Sequence, residues 1–378
     1  MALLLFIVSI GVVVYTYIVY PLIVAALGFL RPGFVRKGEG FLPPVTLIIS
    51  AYNEQDVIEA KVKNSLALDY PNLEITVASE STDATNEIAS KYADHGIILR
   101  AFSGRRGKSA TLFRVMPTVR GEIVVFSDAN AMYRPDALRK IVRNFADPSV
   151  GCVIGQLKYR DPSESVGGQG EAVYWKYDEW HRRHAAKAKG LIPGINGGVF
   201  AIRRELYFPV NEQRGDDYEL CTRIGIRGYA VVFEADAVAE ETAAQSTRQQ
   251  FRRKTRLVRW NIFSSIVLIC EALLFRNLRV AWQVLSHRLL RYTVPVWLLL
   301  ALAASAWLAP TSPVFRLILA CQLGFYVIGL IGWSADAGRL KVSRLWLVPA
   351  YFVMVNSAAM VAILALSRGQ MATWQKER

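Results

Sequence analysis

Asp128 and Asn130 stand two residues apart, directly after the apolar run Glu122–Ser127. On a loop leaving a buried strand, both side chains can offer oxygen to one hard divalent cation, Mg2+ or Mn2+. A turn-forming pair is the plainer use of the same residues. Two adjacent carboxylates, Asp216 and Asp217, precede an apolar-periodic stretch. Close to other negative charge, such a pair acquires coupled or raised pKa values, which suits proton abstraction; otherwise it caps a helix. Arg105-Arg106-Gly107-Lys108 gathers three cations around a glycine, as a solvated basic loop or as a grip on an anion.

The elements that hold these residues follow from the spacing of apolar positions. Val45–Ser50, Leu73–Ala78, Ile97–Leu99 and Glu122–Ser127 read as strands. Between them, helical patterns lead to Leu68, cover about Ala84–Ala93 and run from Arg134-Pro135 to about Phe145. Strands alternating with helices imply a mostly parallel sheet covered on both faces. Such sheets bind ligands at the C-terminal ends of their strands. The polar segments at 50–54, 79–83 and 127–130 all lie just past strands, in that position. Beyond 150 the pattern is less regular. Gly168–Lys189 reads as a helix rich in Trp, Tyr, His and Arg, and the glycine-rich Pro193–Gly198 precedes a short apolar strand. His181 and His184 share a helix face without a further partner and are read as surface or acceptor-lining residues, not metal ligands.

Of the 378 residues, 53% are hydrophobic, and much of that share lies at the two ends. Met1–Leu30, Tyr292–Ala309, Leu317–Trp333 and Leu345–Leu366 carry no charged side chain. At about 17 residues or more, each can cross ~30 Å of hydrocarbon as a helix. The first lacks the basic leader of a signal peptide and is read as a retained span. Arg31, Arg36 and Lys37 after it place residues 31–288 on the cytoplasmic side by the positive-inside rule, and Arg339, Lys341 and Arg344 agree. Arg368, Lys376 and Arg378 in the tail run against it. The net charge of +14 comes largely from 248–259 and 276–291, just before a membrane segment, which favours anionic lipid over nucleic acid as the partner. Cys152, Cys221, Cys270 and Cys321 show no paired metal-ligand spacing, so neither disulfides nor a zinc site is expected.

Taken in order, Pro43–Glu54, Ser127–Asn130 and Gly215–Leu220 between membrane segments resemble the membrane glycosyltransferases of family two, in the group of cellulose, hyaluronan and chitin-oligosaccharide synthases. The resemblance covers about residues 43–260. It implies an α/β, Rossmann-like GT-A domain that uses a nucleotide sugar and a divalent metal and inverts the anomeric centre. Ala51, Tyr52 and Glu54 match its first nucleotide loop. In the next loop, Ala78–Asp83 lacks the family's glycine, and either Glu80 or Ser79 stands for its base-binding aspartate, with uracil the expected base. Asp128 and Asn130 match the Asp-x-Asp element with Asn at the second acid, which removes one charge from the metal site. Lys108 matches a diphosphate-binding lysine, Asp217 the catalytic base with Asp216 beside it, and Asn196, Gly197 and Gly198 the acceptor-side loop. Gln250 and Arg253 keep the spacing of the family's Gln-x-x-Arg-Trp, with Lys254 in place of Trp. Together with Arg256 they contact acceptor or diphosphate, or else lipid head groups.

The expected organisation is a membrane helix at 1–30, a cytoplasmic transferase domain at 31–260, interfacial amphipathic helices at 261–288 and three membrane helices with a short tail at 289–378. The expected role is assembly of cell-surface polysaccharide at the plasma membrane, with a homo-oligomer or an export partner possible. Addition of a single sugar to a lipid-linked carrier is the alternative within the class. A non-catalytic membrane scaffold or transporter component with a decayed transferase domain is the alternative outside it.

Overall fold

The computed structural model describes residues 1–30, 35–160, 166–188, 190–210, 216–242, 246–337 and 344–369. Arg31, Arg339, Lys341, Gly215, Lys376 and Arg378, which the sequence reading used, lie outside the described residues, as does the side chain of Asp216.

The strands are β1 (Val45–Ala51), β2 (Leu73–Ser79), β3 (Ile97–Ala101), β4 (Ile123–Asp128), β5 (Met132–Tyr133), β6 (Val150–Arg160), β7 (Val199–Arg203) and β8 (Ala230–Thr242). They form one mixed sheet in the order β3-β2-β1-β4-β7-β6-β8-β5. β3, β2, β1 and β4 are mutually parallel, while β7 runs antiparallel to both β4 and β6. This is the GT-A architecture. Alternate residues of the central strands feed opposite faces. Leu47, Ile49, Ile123 and Val125 pack on one side, and Ile48, Val124 and Phe126 on the other. All seven are essentially inaccessible. Each buried aliphatic side chain of this kind contributes roughly 1.5–3 kcal/mol. The sheet is therefore a rigid platform for the loops at its edge.

Helices cover both faces. Ile58–Leu66 (α1) and Ala137–Val142 (α2) lie on the first face; Lys108–Val115 (α3) and Asp216–Ile226 (α4) lie on the second. Val166–Lys187 (α5) reaches the membrane helices, where the Tyr177 hydroxyl donates to the Tyr17 carbonyl at 3.1 Å.

Among the described residues, five helices are long and apolar enough to cross a membrane, one more than expected: Ala2–Leu30, Thr247–Leu274, Leu278–Leu308, Pro313–Ala335 and Trp346–Ser367. The addition is Thr247–Leu274 (α6), in which the basic and apolar segments flanking residue 260 run on as one helix because neither Gly nor Pro interrupts them. Its apolar half docks on α4. Leu268 and Ala272 are fully buried beside Cys221 and Ile224, Arg223 Nε donates to Glu271 at 2.8 Å, and Ser264 donates to Glu219 at 3.0 Å. Leu278–Leu308 (α7) likewise merges the second expected interfacial segment with the next apolar stretch, through a π-turn at Val284–Leu289.

Candidate active site

The site is built at the C-terminal ends of three adjacent parallel strands. Register pairs Ala51 of β1 with Ser79 of β2, and Ser50 of β1 with Asp128 of β4, so the three polar loops leave the sheet at one level. Asn53 follows β1 in the left-handed region, at φ 54°. Asn tolerates that conformation because its side chain can bond nearby backbone. Here Asn53 Oδ1 accepts the Thr82 amide at 2.8 Å and the Asn53 amide donates to Ser81 Oγ at 2.9 Å. The Glu54 amide donates to Thr85 Oγ1 at 2.8 Å. The loops after β1 and β2 are thus laced into one surface. Ser79 is buried and shares a 2.9 Å hydrogen bond with Ser81.

Glu80 has a use that the sequence did not disclose. One of its carboxylate oxygens accepts the backbone amides of Arg106 and Gly107, each at 2.9 Å. It thereby anchors the loop that delivers Lys108. Gly107 makes this turn possible, at φ 96°, where a side chain would be strained. The Arg105 guanidinium lies 4.6 Å from the Tyr52 ring centre, bringing the basic loop over the loop after β1.

Lys108 Nζ donates to Asp128 Oδ1 at 2.7 Å. Across from them, a side chain on Gly197 would place its Cβ 3.2 Å from Asp217 Oδ2 and 3.7 Å from Lys108 Nζ. Asp128, Lys108, Gly197 and Asp217 therefore converge from four separate segments. Asn130 donates its amide to Glu241 Oε1 at 2.6 Å. Among the described residues, no three Asp, Glu, His or Cys side chains gather into a metal cage. Asp128 and Asn130 do supply oxygen donors of the kind that hold Mg2+ or Mn2+ by one or two protein ligands, with substrate phosphates completing the shell.

The remaining expected residues divide. Both polar ends of Asn196 are engaged by backbone: Nδ2 donates to the Gly155 carbonyl at 3.0 Å and Oδ1 accepts the Val199 amide at 3.2 Å. Asn196 therefore fixes the backbone of the 193–198 loop that carries Gly197 and Gly198. Gln250 is fully buried near the start of α6. Arg253 donates to the Tyr159 hydroxyl at 3.0 Å, and Tyr159 is the strand partner of Glu241, so this arginine reaches the edge occupied by Asn130. Arg256 stands 5.4 Å from the Trp260 ring centre, further along the helix. His181 is buried and stacks on His287 with ring centres 4.3 Å apart, so it neither faces the surface nor lines the site.

Two residues behind the site went unnoticed in the sequence. Lys61 of α1 is fully buried; its ammonium donates to the Ala131 carbonyl and lies 4.1 Å from the Tyr133 ring centre. Burial pulls its pKa down to about 7, against the pull of the Asp128 charge. Tyr133 is also buried, and its hydroxyl is 3.2 Å from the carbonyls of both Phe126 and Gly198. Lys61 and Tyr133 thus brace the Asp128–Asn130 turn against the loop at Gly198. The available signal was Lys61 sharing a helix stripe with Ile58, Val62 and Ser65.

A family-wide sequence profile described as "Glycosyltransferase like family 2" matches residues 43–259, more than half of the chain. The chain belongs to this family. Among curated relatives, beta-monoglucosyldiacylglycerol synthase of Nostoc sp. is 30% identical over 186 residues, covering 47% of this chain and 40% of that protein. Poly-beta-1,6-N-acetyl-D-glucosamine synthase of Staphylococcus aureus is 26% identical over 200 residues, covering 51% and 48%. The matched segment thus spans about half or less of these relatives. A mannosyltransferase from Pyrobaculum calidifontis, solved with GDP-mannose and Mn2+, superposes with a TM-score of 0.72 over 96% of this chain and 97% of its own. At 22% identity that likeness speaks to the fold.

Proposed function

We propose that this chain is a multi-pass plasma-membrane enzyme that transfers one sugar, with inversion, from a uridine-diphosphate sugar to a hydroxyl of a glycan or lipid-linked acceptor. The observation that carries this reading is the convergence of Asp217 and the Lys108–Asp128 pair on Gly197, at the strand ends where the nucleotide loops meet. Asp217 takes the proton of the acceptor hydroxyl as its oxygen bonds to the anomeric carbon and the nucleoside diphosphate departs with the bond electrons. One in-line displacement inverts that carbon. Gly197 lets the acceptor sugar lie against backbone beside the base. Lys108 stands where negative charge grows on the leaving group, held there by Glu80 through the 105–107 loop. Asp128 with Asn130 would hold Mg2+ or Mn2+, which when bound neutralises diphosphate charge.

The transferase domain, 31–260, faces the cytoplasm in this reading, and the basic residues of α6 meet anionic lipid. The product is cell-surface polysaccharide. Addition of one sugar to a lipid-linked carrier is favoured instead by the pair of arginines inside α7 described below; a single mass increment rather than a polymer ladder distinguishes it.

The test is donor turnover by detergent-purified protein against UDP-, GDP- and dTDP-sugars with Mg2+ or Mn2+. Turnover confined to UDP-sugars, abolished in Asp217→Asn with donor binding retained, is the expected result. Turnover in Asp217→Asn near that of the parent removes Asp217 as the base. A preference for GDP- or dTDP-sugars removes the uridine assignment.

A further inference from the structure

Arg288 and Arg291 lie one turn apart on α7, directly before its charge-free part, which is apolar enough to cross a bilayer. A guanidinium at the edge of a membrane span is held by whatever answers its charge there, a head-group anion or a ring face. The neighbours here are aromatic. The Arg291 guanidinium lies 4.8 Å from the Tyr174 ring centre and 5.5 Å from that of Tyr17. That of Arg288 lies 5.1 Å from the Tyr218 ring centre and 3.5 Å from the Tyr292 hydroxyl. Lys254 adds a third cation, 5.4 Å from the Tyr174 ring centre. Ring faces orient a guanidinium plane while leaving most of its N–H donors to another partner. Among the described residues, no carboxylate lies within ion-pair distance of Arg288 or Arg291. The nearby buried Asp178 is in contact with Arg182, at 2.6 Å, and acts on Arg288 and Arg291 only through longer-range attraction.

We propose that Arg288 and Arg291 bind the phosphate of a membrane lipid that carries the acceptor. The planar N–H fork of arginine matches phosphate oxygens, and two of them on one helix face can share one phosphoryl group. Basic pockets between membrane helices accept phosphorylated head groups on the same grounds. The position suits an acceptor anchor. The ring that Arg288 covers belongs to Tyr218, the residue after Asp217, so a phosphate held there lies next to the segment bearing the base. This rests on the transferase reading and names the acceptor class of that same site.

The experiment titrates the detergent-purified full chain with dioctanoyl phosphatidic acid, dioctanoylglycerol or inorganic phosphate, and reads the thermal midpoint. Phosphatidic acid raises it by a few degrees; the phosphate-free lipid and the free anion do not. An equal shift with dioctanoylglycerol, or with inorganic phosphate, overturns the proposal, and neither comparison needs a variant. Arg288→Gln/Arg291→Gln abolishes the response, and Arg288→Lys/Arg291→Lys keeps part of it. A folded Gln pair that responds like the parent also overturns it. So does a Gln pair that loses UDP binding, since that would assign the arginines to the donor diphosphate. Donor hydrolysis is followed in parallel. Hydrolysis without lipid selectivity sinks the lipid site alone, whereas lipid selectivity without nucleotide binding or hydrolysis sinks the transferase reading.

Discussion

Lys108 Nζ donates to Asp128 Oδ1 across 2.7 Å, and the same ammonium faces Gly197 and, beyond it, Asp217. One lysine thus links the metal-type carboxylate to the acceptor side of the cleft. In the proposed mechanism a cation on Asp128 would share that carboxylate with Lys108, and the diphosphate would gain from both positive charges.

Lys108→Met therefore separates two effects. Loss of a preorganised charge at a leaving group costs roughly 10²-fold in rate. The expected result is a fall of that order in kcat/KM for the donor, without any increase in the Mn2+ concentration needed for half activity. Asp128→Asn, by contrast, raises the metal requirement steeply. Metal titrations of both variants decide the matter; a Lys108→Met enzyme that needs more metal would make Lys108 a support of the metal site rather than a diphosphate contact.

Asn130→Asp tests the altered second position. Asn130 Nδ2 now donates to Glu241 Oε1 at 2.6 Å, and an aspartate there would set two carboxylates against each other. Like charges that close raise a pKa or demand a cation. The variant should bind Mn2+ more tightly and melt earlier than the parent in EDTA, with the loss reversed by metal. Identical metal response in calorimetry would show that residue 130 does not face the cation.

Lys61 makes a pH-dependent contribution whose sign is fixed. Its folded pKa, about 7, lies below the ordinary lysine value because burial disfavours the ammonium. Between the two values the unfolded chain binds more protons, so stability gains from this residue as pH rises from about 7 toward 10. Lys61→Met removes the term. Measured against that variant, the parent should gain stability by up to about 1.4 kcal/mol per pH unit in this window. A gap between the two melting curves that does not change with pH would rule this out.

Much of the site could be read from the chain because β1, β2 and β4 alternate faces residue by residue and end in polar loops. β6 and β8 could not be read in that way. Val150–Leu157 is buried on both faces and shows no alternation, and β8 slips register against it between Gly155 and Gln156. The junction at residue 260 misled for a related reason: composition changes there while the backbone, without Gly or Pro, does not. Glu80 and Lys61 act through tertiary contacts to residues 26 and 70 positions away. Local pattern carries no trace of such partners, and a lysine on an apolar helix stripe was the only hint.

Gly197 offers the sharpest probe of the acceptor side. Its place between Asp217 and Lys108 leaves a new Cβ 3.2 Å from Asp217 Oδ2, close enough that the carboxylate must move by a few tenths of an ångström. Small displacements of a catalytic group cost far more in rate than in binding. Gly197→Ala should lower kcat by roughly 10-fold or more with little change in donor affinity or melting temperature. Gly198→Ala is the comparison, since its Cβ would meet the terminal methyl of Leu157 at 3.2 Å, a side chain that can yield. Equal losses in both would mean the loop tolerates no side chain at all; a loss confined to Gly197→Ala places Asp217 at the attacking hydroxyl.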